Sequence, residues 1–363
     1  MLLEASEPGS DSRPKDQKST VLRLGGLFCL FFLIALGLGY PMLNRYDPRT
    51  TPGLSDVKTY AAMVVGAPTP GYEHMQFRVL VPWIARLVYR VTEGHAGSWD
   101  PVLFGLLTAD SLFVALTALL IVVLGIRKLG SYKIALVASL LYLVNFSTPN
   151  LRLVGLVDAG EGFFLLALLW TLSESAFWTL PLIAVLGTLT RESFVPFMIV
   201  FTAAWWVVER KKLKASATNG AWKVGMWITG TGLLSFLVMA TLQWRISGHL
   251  TSPISFAQSL HHNHEYLQHL QSTLWDRSLL YVFAWLLPLG IPRLGRFPKS
   301  WLIAIACTSA LAFVLNDYYG GGPGTVVRAL YSIAGPVLTL SAASFLLEWK
   351  ASEAVSVRHA DKG

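Results

Sequence analysis

Charge is scarce in this chain. Charged residues make up 14% of its 363 positions, against about 25% in soluble domains. That shortage excludes a soluble globular protein. Cysteine is nearly absent. Cys29 and Cys307 both sit in apolar runs, so no disulfide framework is supported. No repeat of fixed period is visible, which argues against the repeated halves of many transporters. Apolar side chains are what the chain has in quantity. They account for 53% of residues, mean hydropathy is +0.52, and there are 13 tryptophans. Tryptophan suits the interfacial belts of a bilayer protein. The fold class expected is an all-α polytopic membrane protein.

Residues 1–20, MLLEASEPGSDSRPKDQKST, are polar and mixed in charge, and read as a disordered cytoplasmic tail. They are too long and too acidic for the basic start of a signal peptide. Ten apolar runs follow, near 21–40, 101–126, 133–148, 153–172, 177–190, 193–208, 224–243, 279–292, 300–316 and 329–348. A span needs about 20 apolar residues, so the short fifth and eighth runs are expected to be tilted, partly re-entrant or interrupted. The membrane domain is 21–348, and 349–363 is a second tail. The loops IRKLGSYK, ERKKLKASATNGAWK and PRLGRFPKS are short and basic. The positive-inside rule puts them, and both termini, in the cytoplasm. The net charge of +8 then faces anionic lipid rather than nucleic acid. The protein is placed in a cell membrane, a bacterial inner membrane, as a multi-pass chain.

Three segments are left outside: 41–100, 244–278 and 317–328. Charges within spans are costly and default to functional hypotheses. Asp110 is one, weighted toward a structural role. Asp158 and Glu161 lie in LVDAGEGFF, three residues apart and so on one helix face. Arg191 and Glu192 mark an outer turn. The plain alternative is a set of internal ion pairs, such as Arg152 or Arg191 against Asp158. In SDVKTYAAM, Ser55 caps a short helix, with Asp56 in its first turn and Tyr60 on the same face. MQFRVLVPWIARLVYRV reads as an interfacial amphipathic helix started by Pro82. Arg86 and Arg90 fall on one side of it, and Ile84, Leu87, Val88 and Val91 are available to the bilayer. His261, Glu265 and His269 share a helical face, but the compact ligand set of a zinc site is missing. Arg328 stands at the start of the last run, where a guanidinium can pair with a phosphate.

SDVKTYAAM resembles the first-loop signature of GT-C type integral membrane glycosyltransferases, which use sugars carried on polyprenyl or dolichyl phosphate. In the aminoarabinose transferase and protein mannosyltransferase branches, Asp-x-x-x-Tyr-Ala is a frequent form, matched here by Asp56, Tyr60 and Ala61. FRVLVPWIA, LGTLTRESFVPF and VVRALYSIAGPVL are similar to further stretches of those enzymes. The resemblance implies a compact GT-C fold with interfacial helices in the first outer loop. Asp56 becomes the general base on an acceptor hydroxyl, with Tyr60 positioning substrate. Arg191 and Arg328, with Arg78 behind them, would stabilise the leaving lipid phosphate. Asp158 and Glu161 would bind sugar hydroxyls or hold those arginines in place, and Glu192 is a further substrate-binding candidate. The partners implied are a polyprenyl-phosphate sugar donor, membrane lipid and an acceptor of unknown identity. Val57 stands where many members carry a second acid. No cofactor is therefore assigned, and a divalent metal has no support in the residue pattern. The rival readings are an O-antigen polymerase or ligase-like enzyme working through 244–278, a transporter, and a non-catalytic membrane protein of the same fold.

Overall fold

The computed structural model describes residues 13–45, 55–69, 73–95, 97, 99–216, 220–250, 266–318 and 323–360. All regular structure among them is helical. The α-helices are α1 Arg13–Arg45, α2 Ser55–Val65, α3 Leu80–Thr92, α4 Pro101–Leu129, α5 Tyr132–Val144, α6 Asp158–Ser173 and α7 Leu180–Thr190. They continue as α8 Phe194–Ser216, α9 Gly220–Ser247, α10 Tyr266–Leu274, α11 Arg277–Phe283, α12 Leu286–Gly290, α13 Lys299–Tyr318 and α14 Pro323–Ala360. Helix occupies most of every predicted apolar run. Among the described residues, five stretches are long and apolar enough to cross a membrane: Leu22–Pro41, Pro101–Leu129, Gly220–Ser247, Arg277–Arg296 and Gly324–Glu348.

Local sequence explains the main boundaries. Asp100 caps α4, accepting from the amides of Val102 at 2.8 Å and Leu103 at 3.0 Å, and Pro101 starts the helix. Gly130, with φ 65°, ends it in the left-handed region. Ser131 caps α5 at once, so the turn between them is tight. The predicted eighth run is interrupted. Pro288 has no amide proton to donate one turn back, and helix breaks between Phe283 and Leu286.

Four expectations need correction. α1 begins at Arg13 and α14 runs to Ala360, so helix enters both segments expected to be tails, 1–20 and 349–363. Once nucleated by the apolar run, a helix propagates cheaply through such residues, and Pro14 is tolerated because it lies in the first turn of α1. Pro82 is the third residue of α3, not the first. It is tolerated because first-turn amides have no partner within the helix. The predicted fourth run starts late. Residues 148–152 form a π-helical turn, 153–157 are irregular, and α6 opens at Asp158.

α4 packs on α1, α3, α5 and α6, while α14 packs on α5, α6, α12 and α13, and these two helices form the centre of the bundle. α8 joins α9 to α13, and α7 lies between α6 and α9. One end of the bundle gathers the basic loops. Arg127 bridges Glu174, the Lys128 ammonium lies 5.6 Å from the Trp301 ring, and Glu348 takes both Arg296 and, at 3.5 Å, Arg293. α3 has an apolar exposed stripe of Trp83, Leu87 and Val91. Ile84 and Val88 are only half-exposed beside it.

Candidate functional site

At the other end, segments far apart in sequence bring the predicted residues together. α6 opens with Asp158 and Glu161 on one face, both buried. Arg191 ends α7 in extended backbone, which turns its side chain across to them. Its Nη1 donates to Asp158 Oδ1 at 2.5 Å and to Glu161 Oε2 at 3.1 Å. Ser193, from the same turn, donates to Glu161 Oε1. Arg328, near the start of α14, donates from Nη1 to Asp158 Oδ2 at 3.1 Å. Asp158 is thus held between two arginines from different helices. The ion-pair alternative is realised through Arg191 and Arg328. Arg152 reaches Asp158 only at its backbone carbonyl, at 3.5 Å.

A second pair adjoins the first through the Arg191–Glu192 turn. Arg78 lies between the 3₁₀ turn Glu73–Phe77 and α3, and is buried. Its Nε donates to Glu192 Oε2 at 2.7 Å and its Nη2 to Oε1, a bidentate fork. Its Nη1 donates to the Tyr60 hydroxyl at 2.8 Å. Tyr60 is buried on α2, one turn after the half-buried Asp56. Burial pushes the Tyr60 hydroxyl up to about 12, against the pull of Arg78, and the Asp56 carboxylate adds to the rise. Tyr60 therefore stays protonated and acts as a hydrogen-bonding group. Val57, beside Asp56, is core.

Glu192 is the partly open member, with 31% of its side chain exposed. Burial by itself raises its pKa, but the Arg78 guanidinium outweighs that and holds it at about 2. The folded value lies below the unfolded one. The pair's stabilisation is therefore complete above the ordinary carboxylate range and is lost as pH falls through about 2. Thermal midpoints followed from about pH 5 down to about pH 2 should fall more steeply for wild type than for Glu192→Gln. Parallel curves would remove this role.

Arg152 is the member that sequence reading undervalued. It is 1% exposed, at the end of the π-helical turn. Its guanidinium lies 5.0 Å from the Tyr331 ring and 5.8 Å from the Tyr142 ring, which stack on each other. Its Nη2 donates to Ser332 Oγ at 2.8 Å, and Ser332 donates to the Arg328 carbonyl at 2.9 Å. The available signal was an arginine between two apolar runs, the same rule that selected Asp158. Gly162 makes room for it: a Cβ there would lie 2.3 Å from Arg152 Nη1. Gly162→Ala should cost about 1–3 kcal/mol in denaturant unfolding through this clash. Wild-type stability would mean that the guanidinium is free to move.

Asp110 plays a framework part. It is fully buried on α4, and its Oδ2 accepts from the Gly155 amide at 3.1 Å. Gly155 has φ 77°, a conformation that suits glycine, and this bond fixes the turn into α6. The histidine face of 244–278 is not placed here, because His261 and Glu265 lie outside the described residues and the His269 side chain is not described. Among the described residues no group of three or more His, Cys, Asp or Glu is arranged to hold a metal ion.

A scan against protein-family models finds no match for the chain, and a search of curated proteins finds none.

Proposed function

We propose that the protein is a glycosyltransferase that moves a sugar from a polyprenyl-phosphate donor to an acceptor hydroxyl on the extracytoplasmic face, with inversion. The proposal includes ten spans in a GT-C arrangement, both termini cytoplasmic, in a bacterial inner membrane. One observation carries it. Arg78, Arg191 and Arg328 converge with Asp158, Glu161 and Glu192 beside Tyr60, at the end of the bundle away from the basic loops. Guanidinium groups held in fixed positions are what a departing lipid phosphate requires.

In this mechanism Asp56 takes the proton of the acceptor hydroxyl as its oxygen attacks the anomeric carbon. The bond from that carbon to the phosphate oxygen breaks, and the lipid phosphate leaves as an anion. Arg328 is the phosphate contact. Its side chain is 16% exposed, against 8% for Arg191, and among the described residues its Nη2 has only a 3.4 Å contact to Thr325 Oγ1. Arg191 is committed to two carboxylates, and Arg78 to Glu192 and Tyr60. Asp158 and Glu161 hold the arginines. Tyr60, kept protonated, positions the acceptor or the sugar.

Donor binding by purified protein in detergent tests the assignment. Arg328→Ala should weaken binding of a polyprenyl-phosphate sugar roughly ten- to a hundredfold, the worth of a charge-assisted hydrogen bond. Arg328→Lys keeps charge without the fork and should fall between. Unchanged affinity in folded Arg328→Ala would remove the donor site from this cluster.

A further inference from the structure

A groove lies at the other end of the bundle. Pro181 of α7 and Lys223, Met226, Trp227, Gly230 and Thr231 of α9 line a cavity of about 320 Å³. Pro181 stands at the opposite end of α7 from Arg191, about 15 Å along the axis. The groove is therefore separate from the arginine cluster.

Its chemistry is divided along α9. Lys223 is exposed near the start of the helix, at the end of the bundle where the basic loops gather. Deeper in, Met226 and Trp227 are exposed and apolar. Thr231 is about two turns from Lys223, roughly 12 Å. It is 3% exposed, and its Oγ1 is buried with no hydrogen-bond partner among the described residues. An unpartnered buried hydroxyl is costly, and an acceptor oxygen arriving in the groove would relieve it. Gly230 faces open space in the groove, since a Cβ built there meets nothing within 4 Å. The occupant that fits has an anionic head for Lys223, oxygens below it, and a long apolar body for the exposed wall of α9.

We propose that the α7–α9 groove binds an anionic phospholipid, with its headgroup phosphate on Lys223, an ester oxygen toward Thr231, and an acyl chain against Met226 and Trp227. The proposal rests on the membrane reading of the chain and is independent of glycosyl transfer. Anionic lipid is attracted to a surface of clustered basic residues, and Arg210, Lys211, Lys212 and Lys214 lie at the neighbouring end of α8.

The test uses full-length protein in phosphatidylcholine nanodiscs carrying a photoactivatable phosphatidylglycerol. Labelled peptides are mapped by mass spectrometry. Labelling is expected on the Met226–Thr231 stretch, competed better by unlabelled phosphatidylglycerol than by phosphatidylcholine. Gly230→Leu fills the groove and should reduce labelling severalfold without lowering the thermal midpoint. Lys223→Gln should keep labelling but lose the preference for the anionic competitor. Undiminished labelling in folded Gly230→Leu would overturn the proposal. If Gly230→Leu does not fold, Lys223→Gln decides alone: a retained anionic preference overturns it, and a lost preference supports it.

Discussion

Asp56→Asn is expected to leave the protein folded and its donor bound, and to slow transfer by roughly 10²–10⁴. Asp56 lies in the first turn of α2, half-buried and one turn before Tyr60. Asparagine is tolerated at a helix start, so the helix should survive. What disappears is proton acceptance. Donor affinity should hardly change, since in the proposed mechanism the carboxylate works on the acceptor and Arg328 on the phosphate. An acid that only complements the helix N-terminus would give a different result. Its loss costs at most about 1 kcal/mol of stability and leaves turnover intact. Purified Asp56→Asn, checked for fold and assayed with polyprenyl-phosphate sugars, separates the two. Full activity would return Asp56 to a helix-end role and move attention to the 244–278 segment.

Arg191→Ala is expected to be the most destabilising single change in the cluster. Arg191 is the side-chain partner of both Asp158 Oδ1 and Glu161 Oε2, and all three groups are buried. Removing one partner of a buried pair leaves uncompensated charge and costs about 3–5 kcal/mol. Glu161 would keep only the Ser193 hydroxyl. Arg328→Ala should cost less, because Asp158 retains Arg191. Denaturant unfolding of the two variants in the same detergent gives the comparison. A loss for Arg191→Ala no greater than the roughly 1 kcal/mol of a surface ion pair would contradict the buried-network account. A larger loss for Arg328→Ala than for Arg191→Ala would contradict it too.

The parts of the site that could be read from sequence are those with a local signal. Asp158 and Glu161 stood out as acids within an apolar run, and their spacing of three put them on one face, where Arg191 meets both. Tyr60 followed from its spacing of four after Asp56. The pairings had no such signal. Arg78 and Glu192 are 114 residues apart, and Arg328 and Asp158 are 170 apart. Helical periodicity tells which way a side chain faces, not which helix stands opposite. The surroundings of Arg152 are hidden from sequence for the same reason, since its rings, Tyr142 and Tyr331, come from α5 and α14.

The sequence by itself determined the all-α character of this protein, the positions of its apolar runs and the segregation of its basic loops. Each of these follows from composition and period along one stretch of chain. Tertiary structure alone decided that Asp158 sits between two arginines, that Arg78 joins Tyr60 to Glu192, and that Asp110 ties α4 to the turn before α6. Burying a charge is tolerable only where a partner is already in place, and the partner is supplied by helix packing across the bundle.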